Sequence, residues 1–134
     1  IDYVYYTTRG QPPALPDTEL ALVDSGGAKI RFFESDASTK SFCPDATSVP
    51  CLLLEVGSGE ITPITPKGIS VKNAKFYITP ADDPFSFNSA TGSYLANVQP
   101  QVTIVLALTA IGQRAGESSD LFLQTTASSR AYRR

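Results

Sequence analysis

The stretch QVTIVLALTAI, Gln101–Ile111, is apolar on both sides of a two-residue period. Val102, Ile104, Leu106 and Leu108 make one row, and Thr103, Val105, Ala107 and Thr109 make a second row that is still half apolar. Alternation of this kind, with many β-branched residues, predicts a strand. A strand apolar on both faces belongs in the middle of a sheet, with cover on each side. The apolar core of the stretch, Val102–Ile111, is ten residues long. A helix needs roughly 20 to cross a bilayer, so this is not a span.

Reading outward, the polar turn GQRAGESS leads to DLFLQTTAS, where Leu121 and Leu123 share one face. The two stretches predict a long antiparallel hairpin of Val102–Ile111 with Asp120–Ser128. Upstream, GISVKNAKFYITP alternates as Ile69, Val71 and then Ala74, Phe76, Ile78. The change of phase at Lys72-Asn73 predicts a bulge, and Pro80 ends the strand. ELALVD and AKIRFFE flank Ser25-Gly26-Gly27, and CLLLEV and EITPIT flank Gly57 to Gly59. Both pairs read as hairpins with glycine in the turn. Residues 81–99 form a long polar and aromatic excursion, a length associated with function or mobility. No long amphipathic helix is visible; IDYVYY at the start suits an extended form as well as a helical one. The 134 residues are expected to form a single domain, 1–134. Its fold class is expected to be mainly β, a twisted antiparallel sheet of about six to eight strands with one face in need of a cover.

Composition narrows the chemistry. The net charge is −2, and Arg130, Arg133 and Arg134 gather much of the positive charge in the tail, leaving the remainder more acidic. That balance argues against nucleic-acid binding through a basic face. There is no His, which removes the commonest general base and the commonest metal ligand. No phosphate-binding loop, nucleophile elbow or dinucleotide fingerprint occurs. Gly57–Glu60 reads as a hairpin turn, not a phosphate cradle. Asp82-Asp83 with Asn88 offers oxygen ligands for Ca²⁺ but lacks alternating spacing, and reads first as a solvated loop tip. No cofactor, no metal and no catalytic residue is expected, and the protein is expected not to be an enzyme. Cys43 and Cys51 are the two cysteines. They read either as a disulfide closing a small loop or as two free thiols. A bridge there contributes about 2–3 kcal/mol by loop closure and implies an oxidising compartment.

Aromatic residues offer a binding option. Tyr3, Tyr5 and Tyr6 lie in one short segment, and Phe85, Phe87 and Tyr94 in another. Exposed, they suit stacking on sugars or anchoring of a protein partner; buried, they cap the sheet. An extracytoplasmic β-sandwich that recognises carbohydrate or protein is therefore the second functional expectation.

The C-terminal half carries a resemblance. EITPITPKGISVKNAKFYITP, then QPQVTIVLALTAIG, then DLFLQTTASSRAYRR resembles the C-terminal half of type IV pilin-like proteins, most closely minor pilins and pseudopilins. The corresponding positions are Thr65-Pro66, Ile69, Val71, Phe76, Gln99-Pro100, Val102, Ile104, Leu123 to Thr126, Ser128 and Arg130. The resemblance covers roughly residues 60–134, and ELALVDSGGAKIRFFE fits the opening strands more loosely. It implies a structural or assembly subunit of a type IV pilus or a type II secretion pseudopilus. It implies an α+β fold once a long hydrophobic N-terminal helix is counted, against which the sheet packs. The residues from Ile1 onward include neither that helix nor a prepilin cleavage motif, so the family pattern is expected to be completed by residues before Ile1 or by a second, helix-bearing chain. The implied partners are other pilin-like subunits in a filament, or a separate helix-bearing pilin chain. Contact with the membrane is implied only through the missing helix. The implied location is extracytoplasmic, first as an inner-membrane-anchored precursor and then as a periplasmic or cell-surface filament. Arg130, Arg133 and Arg134 are candidate subunit contacts. The Cys43–Cys51 loop and the segment holding Asp82, Asp83, Phe85, Phe87 and Tyr94 are candidate display surfaces.

Overall fold

A computed structural model describes residues 18–23, 26–45, 50–57, 59–79, 87–94, 100–112 and 116–128. Strands dominate these residues, and the only helical element among them is one 3-10 turn, Lys40–Phe42. β1 (Glu19–Val23) and β2 (Lys29–Glu34) pair antiparallel with Leu20 opposite Phe32 and Leu22 opposite Ile30. Gly27 takes φ +82° in the turn, a conformation that L side chains avoid. β3 (Leu52–Val56) adds to β2, and β4 (Glu60–Pro63) adds to β3. This four-stranded sheet is therefore a meander in chain order.

β5 (Ile69–Thr79) opens the second sheet and pairs with β8 (Gln101–Ile111), which pairs in turn with β9 (Ser118–Ser128). β8 occupies the centre of this sheet, as its two apolar rows require. Val102 and Leu108 are buried, while Thr103, Val105, Ala107 and Thr109 of the other row are half-buried. The phase change in β5 is a bulge between Val71 and Asn73, so Lys72 is the extra residue. A separate ribbon, β6 (Phe87–Asn88) with β7 (Ser93–Tyr94), falls within the long excursion.

The antiparallel, mainly β class expected from the sequence is the one adopted. Instead of lying side by side in one sheet, the strands divide into a four-stranded sheet, a three-stranded sheet and the ribbon. The reason lies between β4 and β5. Pro63 and Pro66 supply no N–H for a ladder. The intervening chain bonds back to β3 instead: Ile64 N–H donates to Leu52 O at 2.8 Å, and Leu52 N–H donates to Thr65 Oγ1 at 3.2 Å. β5 then starts on a different layer.

The first sheet is apolar on both faces. Leu20 and Leu52 point to the second sheet and join Val71, Ala74, Phe76, Val102 and Leu108 in one core. Phe33 and Leu53 point the other way and pack on Cys43 and Cys51. Hence the unbroken Leu52-Leu53-Leu54: successive side chains go to opposite faces, and both faces need filling. The two cysteines form a disulfide with a Cα–Cα distance of 5.8 Å.

The two layers meet at Pro50–Leu52. Val71 N–H of the second sheet donates to Pro50 O at 2.8 Å. Ser35 N–H donates to Cys51 O at 2.8 Å, and Cys51 N–H donates to Ser35 Oγ at 3.0 Å. Ser35 and Thr65 are the buried polar side chains among the described residues, and each accepts from a backbone N–H of this junction. Leaving such a donor unsatisfied costs about 1–3 kcal/mol. Thr65→Val is accordingly expected to lower the unfolding free energy by about 1–3 kcal/mol, and Leu53→Ala, at a fully buried site, by about 2–5 kcal/mol. Urea unfolding followed by circular dichroism checks both.

Candidate functional site

β9 sets the candidate surface. Each of its residues is exposed. Its centre is apolar nonetheless: Leu121 is 49% exposed, Phe122 75% and Leu123 46%. The β8–β9 register places Leu121 opposite Leu108 and Leu123 opposite Leu106. Leu121 and Leu123 therefore continue the row that is buried at Leu108. The core ends short of them because the first sheet meets the second chiefly through β1 and β2 against β5. The result is an apolar ledge, Leu121 and Leu123 beside half-buried Ile104 and Leu106, that adjoins the core without being covered by it.

The opposite face of the same hairpin is half polar, with hydrogen-bonded groups toward each end. The bulge aims Lys72 across β8, where Nζ donates to Asp120 Oδ1 at 2.8 Å and Oδ2 at 2.9 Å. Thr109, the register partner of Asp120, donates from Oγ1 to Oδ1 at 2.9 Å. Hydrogen bonds from Lys72 first, then Thr109, hold the Asp120 carboxyl below its ordinary range. Thr103 and Thr126 share a hydroxyl contact of 2.9 Å farther along. Phe122 projects from this face opposite Ala107, a residue too small to cover it.

Arg31 is matched by two acidic neighbours in the first sheet. Arg31 lies in the first sheet opposite Glu55. It donates from Nε to Glu55 Oε2 at 2.9 Å, reaches Glu19 at 3.4 Å and lies 4.0 Å from the Phe33 ring centroid. A polar groove of about 420 Å³ runs beside it, past Glu34 and Asp36. Burial pushes the Glu34 carboxyl up, against a backbone hydrogen bond at Ala74 that lowers it. Asp36 is drawn down to about 2, by the Ser38 and Thr39 side chains and then their backbone N–H groups. Three or more metal-ligating side chains do not cluster among the described residues.

Of the residues singled out in the sequence, Cys43 and Cys51 are brought together. They are 6% and 2% exposed, so the bridge itself is a core element and not a displayed one. Asp45, inside the loop that it closes, accepts from Gly68 N–H at 2.8 Å and so ties the loop to the start of β5. Phe87 and Tyr94 are register partners in the ribbon. Asp82, Asp83, Phe85, Arg130, Arg133, Arg134 and Tyr3, Tyr5 and Tyr6 lie outside the described residues. The apolar ledge was not singled out. Pairing Leu121 with Leu123 marks them as one face, and a one-face pattern ordinarily means burial. The signal that separates them from β8 is composition, since QTTAS after Leu123 has none of the aliphatic density of Gln101–Ile111. No described helix is long and apolar enough to cross a membrane. The chain matches no protein-family model, no curated protein and no solved structure.

Both Asp36 and Asp120 are held below the ordinary carboxylate range. Acids with a depressed folded pKa stabilise the fold above their unfolded pKa, about 3.9, and lose that contribution as pH falls through the folded value. Lys72→Met removes the main partner of Asp120 and is expected to move its titration upward, while Asp36 stays at about 2. Carboxyl-detected NMR titration of the variant against the parent chain reads both midpoints at once.

Proposed function

We propose that this chain is a non-enzymatic structural subunit of an extracytoplasmic filament, of the type IV pilus or type II secretion pseudopilus kind. The observation that carries the reading is the apolar ledge. Leu121 and Leu123 extend the core row of the second sheet past the cover that the first sheet provides. A sheet built to lie against an apolar helix leaves such a row. Exposed apolar rows adjoining a core mark interaction surfaces. The resemblance of Glu60–Pro80, Gln99–Gly112 and Asp120–Arg134 to pilin-like C-terminal halves supports the same reading. The buried Cys43–Cys51 bridge suits an oxidising compartment. In this role the ledge holds the helix, and β8 and β9 hold the ledge. Other pilin-like subunits, or a separate helix-bearing chain, are the partners.

A second reading draws on the two stacked sheets. Leu20 and Leu52 of one layer share a core with Val71 and Phe76 of the other, as in a sandwich. Tyr77 and Phe42, 39% and 43% exposed, would serve such a carbohydrate- or protein-binding module as aromatic contacts.

The reading frame that encodes the chain separates the two. A filament subunit is expected to continue upstream of Ile1 into about 20 apolar residues preceded by a short basic leader with a Gly–Phe-type cleavage point. A frame that begins near Ile1, or that carries an ordinary secretion signal, excludes the single-chain pilin form. A measured affinity for an oligosaccharide, lost on Tyr77→Ala, favours the binding module.

A further inference from the structure

The three other strand edges of the two main sheets are dealt with. β1 and β4 are short, five and four residues, and carry Glu19 and Pro63. β5, at the inner edge of the second sheet, is tied to the first layer through Val71 N–H and Pro50 O. β9 is different. It is an eleven-residue edge strand without Pro, Lys, Arg or Glu. Its one charge, Asp120, is already engaged by Lys72. Among the described residues no strand pairs with its outer side. A long, unblocked edge with an apolar centre is a template for another strand.

We infer that β9 pairs antiparallel with β9 of a second copy of this chain, about a twofold axis at Phe122. The triplet Leu121-Phe122-Leu123 reads the same in both directions, and that self-complementarity selects a second copy as occupant and sets the register. With Phe122 opposite Phe122 of the second copy, Leu121 faces Leu123 and Leu123 faces Leu121, so all three apolar residues meet apolar partners. Directly opposed residues share a face; the leucine pairs extend the ledge and the phenylalanine pair closes over the small Ala107 side. Asp120 then faces Gln124 and meets no like charge. A twofold at Leu121 instead sets Phe122 against Asp120, and one at Leu123 sets Phe122 against Gln124. Because the contact uses the same patch on both copies, it closes as a dimer instead of propagating as a fibre. The paired edges make a six-stranded sheet. A single strand pair lies at the small end of interface sizes, so the dimer is concentration-dependent. The pairing uses the strand edge and stands whether or not the ledge holds a helix.

Cysteine cross-linking under mild oxidation tests the register in the intact 134-residue chain. Phe122→Cys places two thiols directly opposite across the axis, within reach of a disulfide. Gln124→Cys, on the same face, is separated from its own copy by four residues, about 13 Å along the strands. Phe122→Cys is expected to give roughly tenfold more covalent dimer than Gln124→Cys, as the geometry demands. In sedimentation equilibrium the parent chain is expected to move toward twice the monomer mass with concentration. Phe122→Lys is expected to remain monomeric with an unchanged unfolding midpoint. Equal cross-linking at both positions, or a parent chain that stays monomeric throughout, overturns the self-pairing and leaves the edge to a strand from another protein.

Discussion

The segment Pro50–Leu52 carries the architecture, because three consecutive residues serve two sheets and a covalent bridge. Pro50 offers its carbonyl to β5, Cys51 exchanges hydrogen bonds with Ser35 and closes the disulfide, and Leu52 is bonded to Ile64 through its carbonyl and to the Thr65 hydroxyl through its N–H. A protein interior tolerates buried backbone polar groups only when they are paired. Here the pairing is split between layers, so Pro50 O and Val71 N–H lose each other if the sheets part. The side chains follow the same division. Leu52 enters the core between the sheets, and Leu53 enters the smaller core around the bridge.

Much of this was open to reading from residues alone, and the parts that were not have physical causes. Each hairpin of adjacent strands is local: its signal is a two-residue period and a glycine turn, both visible in ELALVDSGGAKIRFFE and in CLLLEVGSGEITPIT. The bulge at Lys72 is visible as a lost beat in the alternation, and it occurs where that beat is lost. The division into two sheets is not local. It depends on where Ile64 N–H and Thr65 Oγ1 find partners, and those partners are Leu52 atoms far back in the chain. The ledge was hidden for a related reason. Leu121 and Leu123 have the pattern of core residues, and only the lateral position of the first sheet, over β5, leaves them outside. Alternation reports which residues share a face, not whether that face is covered.

The polar contacts have a common logic. Arg31 with Glu55 and Thr103 with Thr126 are cross-strand neighbours, and Lys72 reaches Asp120 across the whole width of β8; all lie on sheet faces turned away from the core between the layers. Exposed ion pairs of this kind add little stability singly. Their effect is on specificity. Slipping β9 along β8 by one residue carries Asp120 to the other face and away from both Lys72 and Thr109. Apolar rows alone hold register less firmly at this hairpin, because the partly apolar second row of β8 tolerates either face of β9.

The order of the strands also has a consequence in time. β1 through β4 are neighbours in space in the order in which they occur in sequence. The cysteines lie between β2 and β3, and Ser35 directly follows β2. A chain that emerges from its N-terminal end therefore has every partner for the bridge and for the first sheet before β5 appears. The second sheet then forms against a finished surface. β9 comes last, laid onto β8 when all other strands already have their neighbours. Vectorial emergence suits the first sheet, where each strand after β1 meets its partner on arrival, whereas β5 waits across the β6–β7 ribbon for β8.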